Sequence, residues 1–233
     1  MSKIAVVTGA SKGIGEAIAK KLITLGYRVI GVSRTPPAWD NEQFSFVPCD
    51  LGDELQTQQT AHMIAQMYEI DLFVANAGKG IFCQCDEMKE DAMISLTKLN
   101  FLAPMMLTKI FLPSLKRRQG QIIAISSMTA YKTSPLGGVY AATKAGLSHF
   151  FANLFEEVRK YDVGVSVIAP DMTDTPFYDD LSFGVGDDER SYVTPECIVD
   201  GVELILKSRK GSVITTLMIK PQIVKITKKG RKG

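Results

Sequence analysis

Near the middle of the chain, Tyr140-Ala141-Ala142-Thr143-Lys144 carries a phenol and an ammonium four positions apart. At the start of a helix, that spacing puts both groups on one face, one turn apart. A positive charge about 4 Å from a phenol stabilises its anion by roughly 4 kcal/mol at an effective dielectric near 20. At about 1.4 kcal/mol per unit, an ordinary phenol pKa of ~10 would fall by up to roughly three units, and desolvation would return part of that. A phenol tuned toward neutrality serves as a general acid or base. Taken alone, Tyr-x-x-x-Lys is a common surface pair, so the chemical reading depends on what accompanies it.

A second constellation lies near the start of the sequence, Thr8-Gly9-Ala10-Ser11-Lys12-Gly13-Ile14-Gly15. It sits between the short β-branched run Ile4–Thr8 and the helical period Glu16–Ile23. Gly9, Gly13 and Gly15 permit a tight turn there, and the N–H groups of Ser11, Lys12, Gly13 and Ile14 can approach a pyrophosphate at the helix N-terminus. The spacing is neither G-x-G-x-x-G nor a Walker loop, but the strand before and the helix after are those of a dinucleotide site. The next strand ends at Ser33-Arg34. A carboxylate at this place would suit a free ribose 2′-hydroxyl, whereas Arg34 together with Lys12 suits a 2′-phosphate. NADP(H) is therefore expected over NAD(H), although Arg34 on its own also reads as a solvated loop residue.

These groups need a scaffold, and the patterning supplies one. Strand-like runs at Ile4–Thr8, Tyr27–Val32, Phe44–Val47, Leu72–Ala75, Gln121–Ile125, Val163–Ala169 and Ser212–Ile219 alternate with helical periods. The pattern predicts an α/β fold: one doubly wound parallel sheet of about seven strands with helices on both faces. Residues 1–222 read as a single domain and residues 223–233 as a basic, solvated tail. Glu87–Lys116 reads as one long helical stretch that must kink at Pro104 and Pro113. Residues 170–190 read as a polar loop.

Composition narrows the partners. The 233 residues are 45% hydrophobic and 22% charged, with 27 basic against 25 acidic groups, which excludes disordered and disulfide-scaffold classes. A net charge of +2 gives no case for nucleic acid, and no apolar run is long enough for a membrane span. Four cysteines without a zinc or disulfide pattern point to a reducing, cytoplasmic setting. No metal site is expected.

The glycine loop, Asn76-Ala77-Gly78, Asn100, Ser126-Ser127 and the Tyr140/Lys144 pair occur in an order and spacing that resemble the short-chain dehydrogenase/reductase family, over roughly residues 3 to 220. The resemblance implies a Rossmann fold. It also implies catalysis by Asn100, Ser127, Tyr140 and Lys144. Ser127 would polarise a substrate carbonyl, Tyr140 would donate its proton, and Lys144 would tune the phenol and bind the nicotinamide ribose. Asn100 would hold a water that links the lysine to solvent, or else satisfy a helix irregularity. Cofactor contacts are implied at Asp50-Leu51, Asn76-Ala77-Gly78, Pro170, Thr173 and Thr175, with Asp50 equally readable as a loop or N-cap residue and Asn76 as scaffold.

Two departures matter. Asp171 stands where the family has glycine after Pro170, and the Gly-Gly ending of ketoacyl reductases is missing after Ser212. The expected activity is an NADP(H)-dependent interconversion of a small carbonyl and a secondary alcohol. The alternatives are a 3-oxoacyl-carrier reductase and a non-catalytic NADP-binding regulator. The apolar residues of the loop Asp171–Tyr192 suggest a lid over the site, and a homodimer or homotetramer is expected from the family.

Overall fold

The computed structural model describes residues 2–229. The first half runs β1 (Lys3–Thr8), α1 (Gly13–Thr24), β2 (Tyr27–Ser33), β3 (Phe44–Pro48), α2 (Glu54–Met67), β4 (Leu72–Ala75), α3 (Glu90–Thr97) and α4 (Ala103–Arg118). The second half runs β5 (Gln121–Ile125), α5 (Gly138–Val158), β6 (Gly164–Pro170), β7 (Phe183–Val185), α6 (Pro195–Leu206), β8 (Thr216–Ile219) and β9 (Ile226–Lys228). Seven strands form one sheet in the order β3-β2-β1-β4-β5-β6-β8, and every pairing is parallel. The order reverses between β1 and β4, which opens a crevice at the carboxyl ends of these strands.

Adjacent residues of one strand divide between the two faces, which is why the central strands read as unbroken apolar runs. Val7, Val29, Val74 and Ile123 pack under Ile18 and Leu22 of α1 and Ile198 and Val202 of α6. Val6, Ile30, Phe73 and Ile122 pack under Ile64 of α2, Phe111 of α4 and Phe151 of α5. Helices therefore cover both faces, and the chain has the Rossmann arrangement expected from its sequence.

Three local expectations are corrected. The long helical stretch is interrupted not at its prolines but at Lys98–Leu102, a π turn between α3 and α4. Pro104 falls in the first turn of α4, where its missing N–H needs no partner, and Pro113 is carried inside α4. The loop after β6 contains β7, and that strand pairs antiparallel with β9, which lies in the stretch expected to be a solvated tail. A short strand with one partner has too little alternation to be visible in sequence. Residues 230–233 of the expected tail lie outside the described residues.

The glycine turn shows why β1 and α1 come so close. Gly9 and Gly13 have φ of 67° and 61°, the left-handed region that glycine enters without penalty. Gly15 has an ordinary φ, but a Cβ there would collide with the Gly9 carbonyl and lie 2.5 Å from Asn76 Nδ2. Gly15→Ala should destabilise the protein by about 1–3 kcal/mol through overpacking. The urea midpoint measures this, and an unchanged midpoint would show that the turn relaxes freely.

Candidate active site

The crevice at the sheet's carboxyl edge has a volume of about 440 Å³. At one end lie Gly9, Ser11, Lys12, Gly13 and Ile14 from the first turn. Gly15 sits behind them, as helix packing rather than wall. The turn is braced from below. Thr8 Oγ1 accepts the Asn76 and Ala77 N–H groups at 2.9 and 3.0 Å, and Asn76 Nδ2 donates to the Thr8 carbonyl at 2.9 Å. Asn76 thus locks β4 to the glycine turn, and it lines the crevice together with Ala77 and Gly78. Sequence reading missed Thr8; a hydroxyl ending an otherwise apolar strand was the available signal.

Ser33 and Arg34, at the end of β2, form the same wall as Lys12, together with Thr35. Ser33 donates to the Thr35 carbonyl at 3.0 Å, which turns the chain so that Arg34 is exposed. Two basic side chains, Lys12 and Arg34, therefore face this end, and the end of β2 itself carries no carboxylate. Asp50 and Leu51 follow β3 on the same wall. The Asp50 carboxylate accepts the Gly52 N–H at 2.9 Å, whereas the N-cap of α2 is Asp53, which accepts from the Gln56 N–H at 2.9 Å.

At the other end α5 presents Tyr140 and Lys144, and the strand end after β5 presents Ser127. Lys144 is 4% exposed, its Nζ donates to the Ile125 carbonyl at 2.9 Å, and it lies 6.0 Å from the centroid of the Tyr140 ring. Ser127 Oγ accepts from both the N–H and the hydroxyl of Thr129, at 3.2 and 3.0 Å. Its own proton is therefore directed away from that turn. Ser126 is structural: its hydroxyl donates to the Lys144 carbonyl at 3.1 Å and lies 2.7 Å from Ser148 Oγ.

Asn100 occupies the π turn. Its Oδ1 accepts the Lys79 N–H at 3.0 Å and its Nδ2 donates to the Lys79 carbonyl at 2.9 Å and to Thr143 Oγ1 at 3.3 Å. The buried amide thereby holds the chain after β4 against α5; its bonds go to these neighbours and not to the backbone of the π turn in which it sits. Gly78 keeps this corner open, since a Cβ there would lie 3.2 Å from Asn100 Oδ1 and 3.4 Å from Lys144 Nζ.

The electrostatics differ from expectation. Burial pushes the Tyr140 phenol well above its ordinary value, Ser127 offsets part of this, and Tyr178 adds to it. Burial also pulls Lys144 down to about 8. Desolvation therefore outweighs the attraction between the pair, because the lysine points at a carbonyl rather than at the phenol oxygen.

Pro170 ends β6 on the crevice, and Thr173 and Thr175 follow along its rim. Thr175 Cβ lies 3.4 Å from the position a Gly13 side chain would take, so this loop reaches across to the glycine turn. Asp171 imposes no backbone cost, since the only non-glycine residues with positive φ among those described are Gln119 and Asp162. Its carboxylate instead pairs with Lys132 Nζ at 2.7 and 2.9 Å. Phe177 and Tyr178, foreseen as lid residues, form part of the wall, and Phe82, which sequence reading missed, packs on Tyr140.

The chain matches the short chain dehydrogenase family over residues 3–183. An uncharacterized oxidoreductase of Staphylococcus epidermidis is 28% identical over 227 residues, 94% of this chain and 97% of the relative. The 3-oxoacyl-[acyl-carrier-protein] reductase of Buchnera aphidicola is 32% identical, covering 91% of this chain and 92% of its own. Among solved structures, an alcohol dehydrogenase from the archaeon Thermococcus sibiricus, complexed with 5-hydroxy-NADP, is 28% identical. It superposes with a TM-score of 0.83 over 94% of this chain and 96% of that one. A metagenomic short-chain oxidoreductase in complex with NADP is 29% identical, with a TM-score of 0.78 over 95% and 97%. The chain belongs to the short-chain dehydrogenase family and is an oxidoreductase of that family.

Burying the Lys144 ammonium costs stability, which gives a testable sign. The pKa falls from 10.5 to about 8, a difference of 2.5, or about 3 kcal/mol at 1.36 kcal/mol per unit. The cost is fully present below pH 8 and fades as pH rises toward 10.5, where the unfolded chain also loses its proton. Lys144→Met should therefore stabilise the protein at pH 7 by about 2 kcal/mol, after loss of one hydrogen bond. The gain should shrink at pH 10. Denaturant midpoints at the two pH values measure both, and a destabilised variant at pH 7 would contradict the account.

Proposed function

We propose that the chain is an NADP(H)-dependent oxidoreductase that interconverts a small carbonyl compound and its secondary alcohol, with Tyr140 as general acid and base. The observation that carries this reading is that Ser127, Tyr140 and Lys144 line the same crevice as the glycine turn. The turn offers backbone N–H groups and a helix N-terminus to a pyrophosphate. Glycine at 9, 13 and 15 leaves a cradle that side chains would fill or strain. Lys12 and Arg34 match the charge of a 2′-phosphate, and two solved relatives are described with NADP-type ligands bound.

Held by the glycine turn, Lys12 and Arg34, NADPH would supply the hydride that the carbonyl carbon takes up, leaving NADP⁺. Tyr140 would give its proton to the carbonyl oxygen, so that C=O becomes CH–OH. A phenol held above its ordinary pKa carries its proton throughout the neutral range, as an acid must. Ser127, whose oxygen already accepts two bonds from Thr129, donates to the same substrate oxygen where charge develops. Lys144 spends one donor on Ile125 and has two left for the hydroxyls of a ribose. Asn100 positions the Lys79 backbone and α5 around it.

A 3-oxoacyl-carrier reductase is the second reading, favoured by the relative in Buchnera aphidicola. Four free cysteines suit a reducing, cytoplasmic setting, and no described helix is long and apolar enough to cross a membrane. Self-association into a homodimer or homotetramer belongs to the same proposal, with Met93 and Ile94 exposed on α3.

Tyr140→Phe should lower kcat for ketone reduction by about 10²–10⁴-fold, with NADPH affinity held within about twofold because the ring remains. Equal turnover would remove Tyr140 from the mechanism. NADPH binding without turnover on ketones, diketones and an acetoacetyl thioester would favour a regulator, and turnover of the thioester alone the second reading. Arg34→Asp should cut the preference for NADPH over NADH at least about tenfold, since a carboxylate repels the 2′-phosphate. A wild type that uses NADH better would overturn the cofactor assignment.

A further inference from the structure

Five aromatic rings close on themselves beside Ser127. Tyr140 meets Phe82 at 5.4 Å between centroids, Phe82 meets Phe183 at 4.9 Å, and Phe183 meets Tyr178 at 5.9 Å. Tyr178 meets Phe177 at 5.1 Å, and Phe177 returns to Tyr140 at 6.0 Å. All the contacts are tilted or edge-on, the favoured arrangements. Phe82 and Phe177 both pack on Gly80, where a Cβ would lie 2.6 Å from either ring. Of the five, Tyr140, Phe177 and Tyr178 face the crevice.

The ring does not hold itself. Phe183 and Tyr178 belong to the segment after β6, which is tied down by the final strand. Phe183 pairs with Lys228, Gly184 with Thr227 and Val185 with Ile226. The Lys229 N–H donates to the Ser182 carbonyl at 2.8 Å, and Lys229 Nζ donates to the Tyr178 carbonyl at 2.6 Å. Lys225 forms an ion pair with Asp187, and the Ile223 N–H donates to the Arg190 carbonyl at 3.0 Å. Residues 223–229 therefore bond to both ends of the segment carrying Phe183.

Of the charged groups near this wall, Lys144 is turned to the Ile125 carbonyl behind the phenol. Asp171 and Lys132 neutralise each other at the rim, and the walls beside the phenol are aromatic faces. An uncharged, apolar substituent gains burial there, whereas an anionic one would be desolvated or would have to break the Lys132 pair.

We propose that the aromatic ring, held in place by the final strand, makes this enzyme selective for uncharged aryl or alkyl ketones over keto acids, with Phe183 as a positioning residue under β9. This rests on the carbonyl-reductase reading above. Steady-state reduction of acetophenone and of phenylglyoxylate by NADPH, which differ by a carboxylate, tests it. The expected kcat/KM ratio favours acetophenone at least 100-fold. If neither compound nor any other carbonyl in a broad panel is reduced, the parent reading fails; if the keto acid is reduced as well or better, only the selectivity fails. Phe183→Ala should raise the KM for acetophenone at least tenfold with kcat and NADPH affinity within threefold, and Phe183→Tyr should restore it. Removing residues 223–233 should reproduce the KM change. In the free protein it should also speed amide exchange at Phe183–Val185, a readout independent of turnover. Unchanged KM in Phe183→Ala, or unchanged exchange in the shortened chain, would overturn the positioning role.

Discussion

The Lys144 ammonium is buried at the end of β5 with a single carbonyl to receive it, and much of the site is arranged around that placement. A charge so far out of water is tolerated in a protein only where geometry demands it. Leu147, Phe151 and Leu154 pack α5 into the core and so set its rotation, which carries Tyr140 and Lys144 to the crevice. Gly78 keeps side-chain bulk away from the amine, and Asn100 spends the irregular backbone of the π turn on holding the next residue, Lys79. The same low-dielectric corner raises the phenol and lowers the lysine. The pair is thus organised by desolvation more than by mutual attraction.

The two ends of the crevice are built by different means. The glycine turn is rigid because backbone groups of β1 and β4 are stitched through Thr8 and Asn76, with little dependence on side-chain packing. The opposite end is a matter of packing: aromatic rings from two other stretches meet over Tyr140, and the final segment holds Phe183 by strand pairing and Tyr178 through Lys229. A nucleotide's phosphates need a fixed array of donors, while a substrate wall needs only shape. The first construction therefore tolerates little change and the second a great deal.

Asp171 illustrates how local substitution is absorbed. A glycine at this position would matter if the turn required positive φ, but the backbone here does not, so a carboxylate is accommodated. It is used to pair Lys132, which links the turn after Ser127 to the loop that leads into Phe177. The two loops that flank the reacting groups are thereby joined at the rim.

The sequence alone determined the alternation of strands and helices, the parallel sheet, the glycine turn and the company of Ser127, Tyr140 and Lys144. The alternation, the sheet and the glycine turn are carried by local periodicity or by residue types at short spacing, and such signals survive without knowledge of the fold. Ser127, by contrast, joined Tyr140 and Lys144 through the resemblance to a known family. The tertiary structure decided which way Lys144 points, and so the sign of the Tyr140 shift, because desolvation depends on neighbours drawn from the whole chain. It also decided the place of the helix break at Lys98–Leu102, which proline chemistry misplaced: a wide turn was accommodated around a buried asparagine. The pairing of Ile226–Lys228 with Phe183–Val185 lay beyond sequence for the same reason. Three residues carry no legible period, and their partner lies some forty positions away, so only the folded chain brings them together.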